Sequence, residues 1–98
     1  EVSFNWAFVT VPFVGATPEE VEDLVVIPIE DEVSQVDDVD VIWSRSRASS
    51  GFVWVEFKEI SEREFDRRVD DIRARVFALD LPEAGGRHKL QLAAHDLE

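Results

Sequence analysis

The sequence predicts a two-layer α+β domain, in which one four-stranded antiparallel sheet carries two helices on a single face. Three observations lead there. Two Ser/Thr-x-x-Glu helix starts stand in the chain, apolar residues alternate at period two in the segments outside them, and the signals follow one another as β-α-β-β-α-β. A chain of 98 residues with 45% hydrophobic content supports one core and is too short for two.

Residues 2–13 read as the first strand, and Gly15 supplies a flexible joint after it. The first helix starts at Thr17-Pro18-Glu19-Glu20, a capping box in which Thr17 accepts a backbone N–H, Glu20 reaches back, and Pro18 occupies a position that needs no donor. Val21, Leu24, Val25, Pro28, Val33 and Val36 then fall near one helical stripe, with Glu19, Glu22, Asp23, Glu30 and Asp31 on the wet side. Pro28 is expected to kink this helix, because it removes a ladder bond and crowds the preceding turn. Asp37 and Asp38 end it.

Residues 39–47 and 52–57 alternate as a hairpin around the turn-rich Ala48-Ser49-Ser50-Gly51. A second capping box, Ser61-Glu62-Arg63-Glu64, opens a helix whose Phe65, Val69, Ile72, Val76 and Leu79 recur at spacings of three and four, and which is expected to stop near Leu81-Pro82. Gly85-Gly86 makes a turn, after which Lys89, Gln91 and Ala93 alternate with Leu90, Leu92 and Ala94 in a last strand. Right-handed crossovers place both helices on one sheet face, which is the ferredoxin-like two-layer sandwich. Residues 1–96 form this single domain, and Leu97-Glu98 reads as a cloning scar.

The face away from the helices is the more informative one. Alternation puts Ala7, Val9, Val11 and Phe13 under the helices and Phe4, Trp6, Phe8 and Thr10 on the open side. In the hairpin, Ile42, Val53, Val55 and Phe57 suit the core, leaving Val41, Trp43, Arg45, Phe52, Trp54 and Glu56 opposite. With the first and third strands as central neighbours, all three tryptophans share one patch. If Phe4, Trp6, Phe8, Trp43, Phe52 and Trp54 each hide roughly 100 Å², the gross gain at about 25 cal/mol/Å² is on the order of 15 kcal/mol before association entropy. A patch of this kind marks a packing interface first and a ligand surface second.

Composition closes off several function classes. Ten Lys plus Arg against 22 Asp plus Glu give a net charge of -12, which repels a phosphate backbone and an anionic membrane surface. No run reaches the roughly 18 apolar residues of a membrane span, so the segment reads as water-soluble. The absence of cysteine removes disulfides, thiolate metal sites and a thiol nucleophile. His88 and His95 are spaced to opposite faces of a strand, and Asp37, Asp38 and Asp40 lack a calcium-loop pattern, so no metal site is expected. Ser44, Ser46, Ser49 and Ser50 have no neighbouring His or Lys, and no glycine-rich phosphate loop precedes either helix. Neither catalysis nor a cofactor is expected. The start at Glu1, without Met or leader, reads as a piece excised from something longer.

Several runs resemble a known family in order and without a gap. They are residues 9–22 (VTVPFVGATPEEVE), Ile27-Pro28-Ile29-Glu30, Val39 with Ile42-Trp43-Ser44-Arg45-Ser46, Val55-Glu56-Phe57, and Leu81-Pro82. Together they are similar to the first porter subdomain of resistance-nodulation-division (RND) efflux transporters. The resemblance implies a periplasmic portion of a bacterial inner-membrane protein, a proton-driven pump that works as a homotrimer, with other porter subdomains as its partners. Departures stand at Val14, where the family has proline, and at Asp38 and Ser49, where it has glycine. By resemblance Thr10, Phe52, Trp54 and Glu56 lie near the substrate path. The second helix would be the pore helix, turning Glu64, Arg68, Asp71 and Arg75 to the trimer axis. Read from spacing alone, those four are a solvated helix face with pairs from Glu64 to Arg68 and from Asp71 to Arg75.

The leading expectation is therefore a transporter subdomain that contributes to a substrate channel and trimer core. Its rival is a free-standing ferredoxin-like module that binds a ligand or protein on the aromatic face. In isolation the chain is expected to self-associate through Trp6, Trp43 and Trp54.

Overall fold

A computed structural model describes residues 5–81 in full and residues 91–95 by their backbone. The elements are β1 (Trp6–Pro12), α1 (Pro18–Val21), a π-helical stretch (Glu22–Val26), α2 (Ile27–Val33), β2 (Val39–Arg47), β3 (Ser50–Phe57), α3 (Glu62–Ala78) and β4 (Gln91–His95). The fold is α+β. The strands are arranged β2-β3-β1-β4, and each pair of neighbours runs antiparallel. Phe4, Pro82, the Gly85-Gly86 turn, His88, Lys89, Leu90 and the terminal Leu97-Glu98 lie outside the described residues.

Strand alternation and helical periodicity meet in one core. Ala7, Val9 and Val11 of β1 and Val53, Val55 and Phe57 of β3 are buried against Val21, Val25, Val26, Ile29 and Val33 of the first helical arm and Phe65, Val69, Ile72 and Val76 of α3. Both helical layers thus cover the same sheet face. The edge of Phe57 meets Phe65 with ring centroids 5.6 Å apart at 89°, a T-shaped contact that joins β3 to α3.

Both helix starts form as capping boxes. The Thr17 hydroxyl accepts from the Glu20 N–H at 3.1 Å while the Glu20 carboxylate accepts from the Thr17 N–H at 2.9 Å. Ser61 and Glu64 repeat the exchange at 3.1 and 3.2 Å. Helix α3 ends at Ala78 rather than at Leu81-Pro82, although Leu81 is itself buried.

The first helix departs from the predicted stripe. Leu24, expected inside, is 47% exposed, whereas Val26 and Ile29 are buried in its place. The cause lies at Pro28. It has no N–H to donate, its ring crowds the carbonyl four residues back, and the turn before it is widened so that the Ile27 N–H donates to the Glu22 carbonyl, five residues away. This wider turn advances the phase and brings Val25 and Val26 together onto the sheet. A stripe drawn at 3.6 residues per turn cannot place both.

The hairpin turn is also shorter than expected. Ser50 and Gly51 belong to β3, leaving Ala48 and Ser49 as the turn. Gly51 is buried, opposite Val11 and Ser46, and serves packing rather than reversal of the chain. A Cβ at this position would stand 3.0 Å from side-chain carbons of Val21 and Val26 and 3.2 Å from one of Val25.

Left-handed backbone falls on Asp38 (φ 69°), Ser49 (φ 70°) and Gly15 (φ 89°). The two non-glycine residues are the two positions where the family resembled carries glycine. Each is held by compensating bonds. The Ser49 carbonyl accepts from the Phe13 N–H at 2.8 Å, its N–H donates to Ala16 at 3.1 Å, and its hydroxyl accepts from the Gly15 N–H at 3.1 Å. The Asp38 carbonyl accepts from the Lys58 N–H at 2.8 Å. Ser49→Val, which is β-branched and lacks the hydroxyl, is expected to cost about 2 kcal/mol, whereas Ser49→Gly stays within about 0.5 kcal/mol of the parent because relief of φ offsets the lost bond. Urea denaturation of both variants checks the pair. Equal losses in both would mean that the backbone angle at Ser49 is not the source.

Candidate functional site

Strand order decides what the uncovered sheet face looks like. Because β1 and β3 are paired with Trp6 opposite Glu56, Phe8 opposite Trp54 and Thr10 opposite Phe52, their outward side chains interleave. Trp6 stacks on Trp54 with ring centroids 4.7 Å apart at 22°, and Phe8 lies 5.7 Å from Trp54 and 5.3 Å from Phe52. Phe52 and Trp54 are 5.7 Å apart along their strand. Trp54 is the hub of this layer. The rings shield one another, so Trp6, Phe8, Phe52 and Trp54 are half-buried although no second layer covers them among the described residues.

Trp43 extends the patch onto β2, paired with Trp54 and 53% exposed. Beyond it the period of two continues through Arg45, opposite Phe52, and Arg47, opposite Ser50. These side chains enclose a groove of about 700 Å³ lined by Trp43, Arg45, Arg47, Ser50, Phe52 and Trp54. Arg47 and Ser50 were not singled out from sequence. The signal was available, since alternation from Trp43 reaches both arginines, but their partners depend on the hairpin register. Glu56 lies on the far side of Trp54, between Trp6 on β1 and Val41 on β2.

The four polar candidates on α3 are engaged within the chain. The Arg68 Nε donates to Asp38 Oδ2 at 2.9 Å, and not to Glu64, whose carboxylate is used in the capping box. Arg75 donates from Nε to Asp71 at 3.2 Å, as i,i+4 spacing predicts, and from a terminal nitrogen to Glu32 of α2 at 3.2 Å. Arg68 and Arg75 therefore fasten α3 to the end of the first helical arm. The hydrogen bond to Asp38 raises the Arg68 pKa, with the Asp38 charge adding to it. At Arg75 partial desolvation lowers the pKa, but the bonds to Asp71 and Glu32 outweigh it and the net shift is upward. The positive charge of both arginines is therefore fully present below the ordinary guanidinium range.

Among the described residues no group of three or more His, Asp or Glu is placed to hold a metal. Asp38, one of the expected acidic cluster, instead receives Arg68. His95 ends β4 opposite Trp6. No helix among the described residues is long and apolar enough to cross a membrane.

An antiparallel sheet with helices on one face and an aromatic layer with a groove on the other defines a surface for packing or binding. No protein-family model matches the chain, and no curated protein does. Solved structures do. The chain is similar to part of a heavy metal efflux pump seen in two crystal forms, at 27% identity and a TM-score of 0.75 over 90% of this chain, and at 26% and 0.77 over 94%. It spans 9% of the pump's length in each case.

Proposed function

We propose that this chain is the first porter subdomain of an RND-type efflux transporter, a rigid block that contributes to a substrate channel and carries no chemistry of its own. The observation behind this reading is that 94% of the chain follows one segment of a heavy metal efflux pump at a TM-score of 0.77, while that segment is 9% of the pump. The uncovered aromatic layer supports it, because a patch of this composition is what remains when a domain is separated from neighbours that pack on it. In this reading the fold is a ferredoxin-like sandwich and the segment is periplasmic. The intact protein is a homotrimer whose other porter subdomains cover the ring layer, and proton movement in membrane helices outside this chain drives the cycle.

The parent reading frame tests it. Apolar helices of membrane length flanking this segment are expected, together with export of a cargo by the expressed protein. A reading frame without such helices would instead identify a free-standing module that binds on its aromatic face. Light scattering on the isolated chain gives a second test, with a dimer or larger species expected and a monomer at all concentrations counting against the need for cover.

A further inference from the structure

We propose that the free edge of β2 takes up an extended acidic segment of a partner protein, paired as an added strand along residues 41–47 with alternate carboxylates on Arg45 and Arg47. This goes beyond the porter reading and does not depend on it, and the aromatic rings take no part in it.

The strand order β2-β3-β1-β4 leaves one long side of β2 without a neighbour. In an antiparallel pair alternate residues turn N–H and C=O away from the partner strand. Among the described residues no backbone group of 41–47 has a backbone bond beyond the pairing with β3. The irregularity of β2 lies between Val39 and Val41, and no proline follows it, so a regular edge runs for about 20 Å from there to the hairpin turn. Such an edge is a template for another strand.

Charge selects which strand. Residues 41–55 hold two arginines and no Asp or Glu, in a chain with 22 acidic residues against 10 basic. Among the described residues Arg68, Arg73 and Arg75 each hold a carboxylate, and Arg63 and Arg67 stand in the acidic sequence of α3. Arg45 and Arg47 hold none, and their register partners on β3 are Phe52 and Ser50. Both are exposed, and at two positions apart they stand on one face about 7 Å from each other along the strand.

A second copy laid in register on this stretch would set guanidinium against guanidinium, which disfavours pairing with itself. A strand whose carboxylates are two residues apart has the same repeat, so both acids come directly across from the arginines and meet their planar donor forks. Adjacent carboxylates would point to opposite faces, and only one would reach. A nucleic-acid strand supplies no amide ladder and carries its charge past the acidic remainder of the chain. Main-chain bonds thus give the affinity and the arginine pair gives the choice.

Amide NMR spectra of the chain, titrated with the acetylated peptide TVEVEVT, test the proposal. Saturable binding is expected, with the largest shifts in residues 41–47 and with affinity at least about tenfold above that of TVKVKVT or of TVEVEVT methylated at every backbone nitrogen, and TVEEVVT is expected to fall between. Replacing both arginines, Arg45→Gln with Arg47→Gln, is expected to weaken binding of TVEVEVT by at least about tenfold, whereas Arg67→Gln on α3 leaves it unchanged. A circular-dichroism melt checks that the double variant stays folded, and the peptide comparison on the parent chain stands without it. Equal binding of the glutamate and lysine peptides, full binding of the methylated peptide, no effect of the double replacement in a folded chain, or shifts centred on β4 or the helices would each overturn the assignment. So would no binding at all, which would leave the arginines as guards that keep the edge unpaired. The reading-frame test of the porter reading is untouched by any of these results, and a reading frame without membrane helices leaves the titration standing.

Discussion

Valine at position 51 is expected to destabilise the chain by about 3 kcal/mol, the upper part of the range for overpacking a core. Gly51 lies under the first helical arm, where even a Cβ would approach carbons of Val21 and Val26 to 3.0 Å and of Val25 to 3.2 Å. Those contacts come from successive turns of the arm, so no single rotamer change relieves them and the arm must lift. Lifting it exposes Val21, Val25 and Val26, all of which are now buried. Two effects oppose the loss. Glycine in a strand carries an entropic cost of about 0.5–1 kcal/mol, and valine has the better strand propensity. Neither matches the clash. Gly51→Ala is expected to fall between, because it adds the Cβ without the branches. Urea denaturation should show midpoints ordered glycine, alanine, valine from most to least stable with an unchanged slope, and a valine variant as stable as the parent would mean that the arm does not rest on β3 at this distance. Against a total stability on the order of 5–15 kcal/mol, the expected loss is a large fraction.

Trp54→Ala is expected to weaken self-association of the isolated chain by at least about 30-fold, as loss of a central aromatic anchor does at other interfaces. Its indole touches the rings of Trp6, Phe8 and Phe52, and its register partner is Trp43. Removing it opens a gap in the middle of the layer and leaves the remaining rings without a common platform. The helix-covered core is on the other side of the sheet, so the fold is expected to persist. Phe77→Ala is the control, since Phe77 is 60% exposed but belongs to α3 in the helical layer, away from the ring face. Sedimentation velocity on both variants should show the tryptophan variant alone shifting toward monomer. Equal shifts in the two would move the association surface to the helices.

Both helix starts were legible before any coordinates, because a capping box is closed by residues three apart and needs nothing from the rest of the chain. The α3 stripe through Phe65, Val69, Ile72 and Val76 was legible for the same reason. So was the division of β1 and β3 into a core face and an aromatic face, which follows from alternation alone. The first arm was misread at Leu24 because a proline can be met by a kink or by a wider turn, and the pattern of side chains does not choose between them. The pairing of Glu64 with Arg68 was misread because i,i+4 spacing records that two groups are neighbours, not that a better partner exists elsewhere. Asp38 is 30 positions from Arg68, and Glu32 is 43 from Arg75.

What the amino-acid order determined by itself was a set of features enforced within a few residues, namely where the helices begin, which side chains β1, β3 and α3 turn inward, and that aromatic rings gather on the outer face of the sheet. The tertiary structure alone decided Gly51 as a contact point, the partners of Arg68 and Arg75, and the union of Trp43, Arg45 and Arg47 with Phe52 and Trp54 in one groove. These depend on the distance and register between segments that meet only when the chain is folded, and local periodicity carries no information about either.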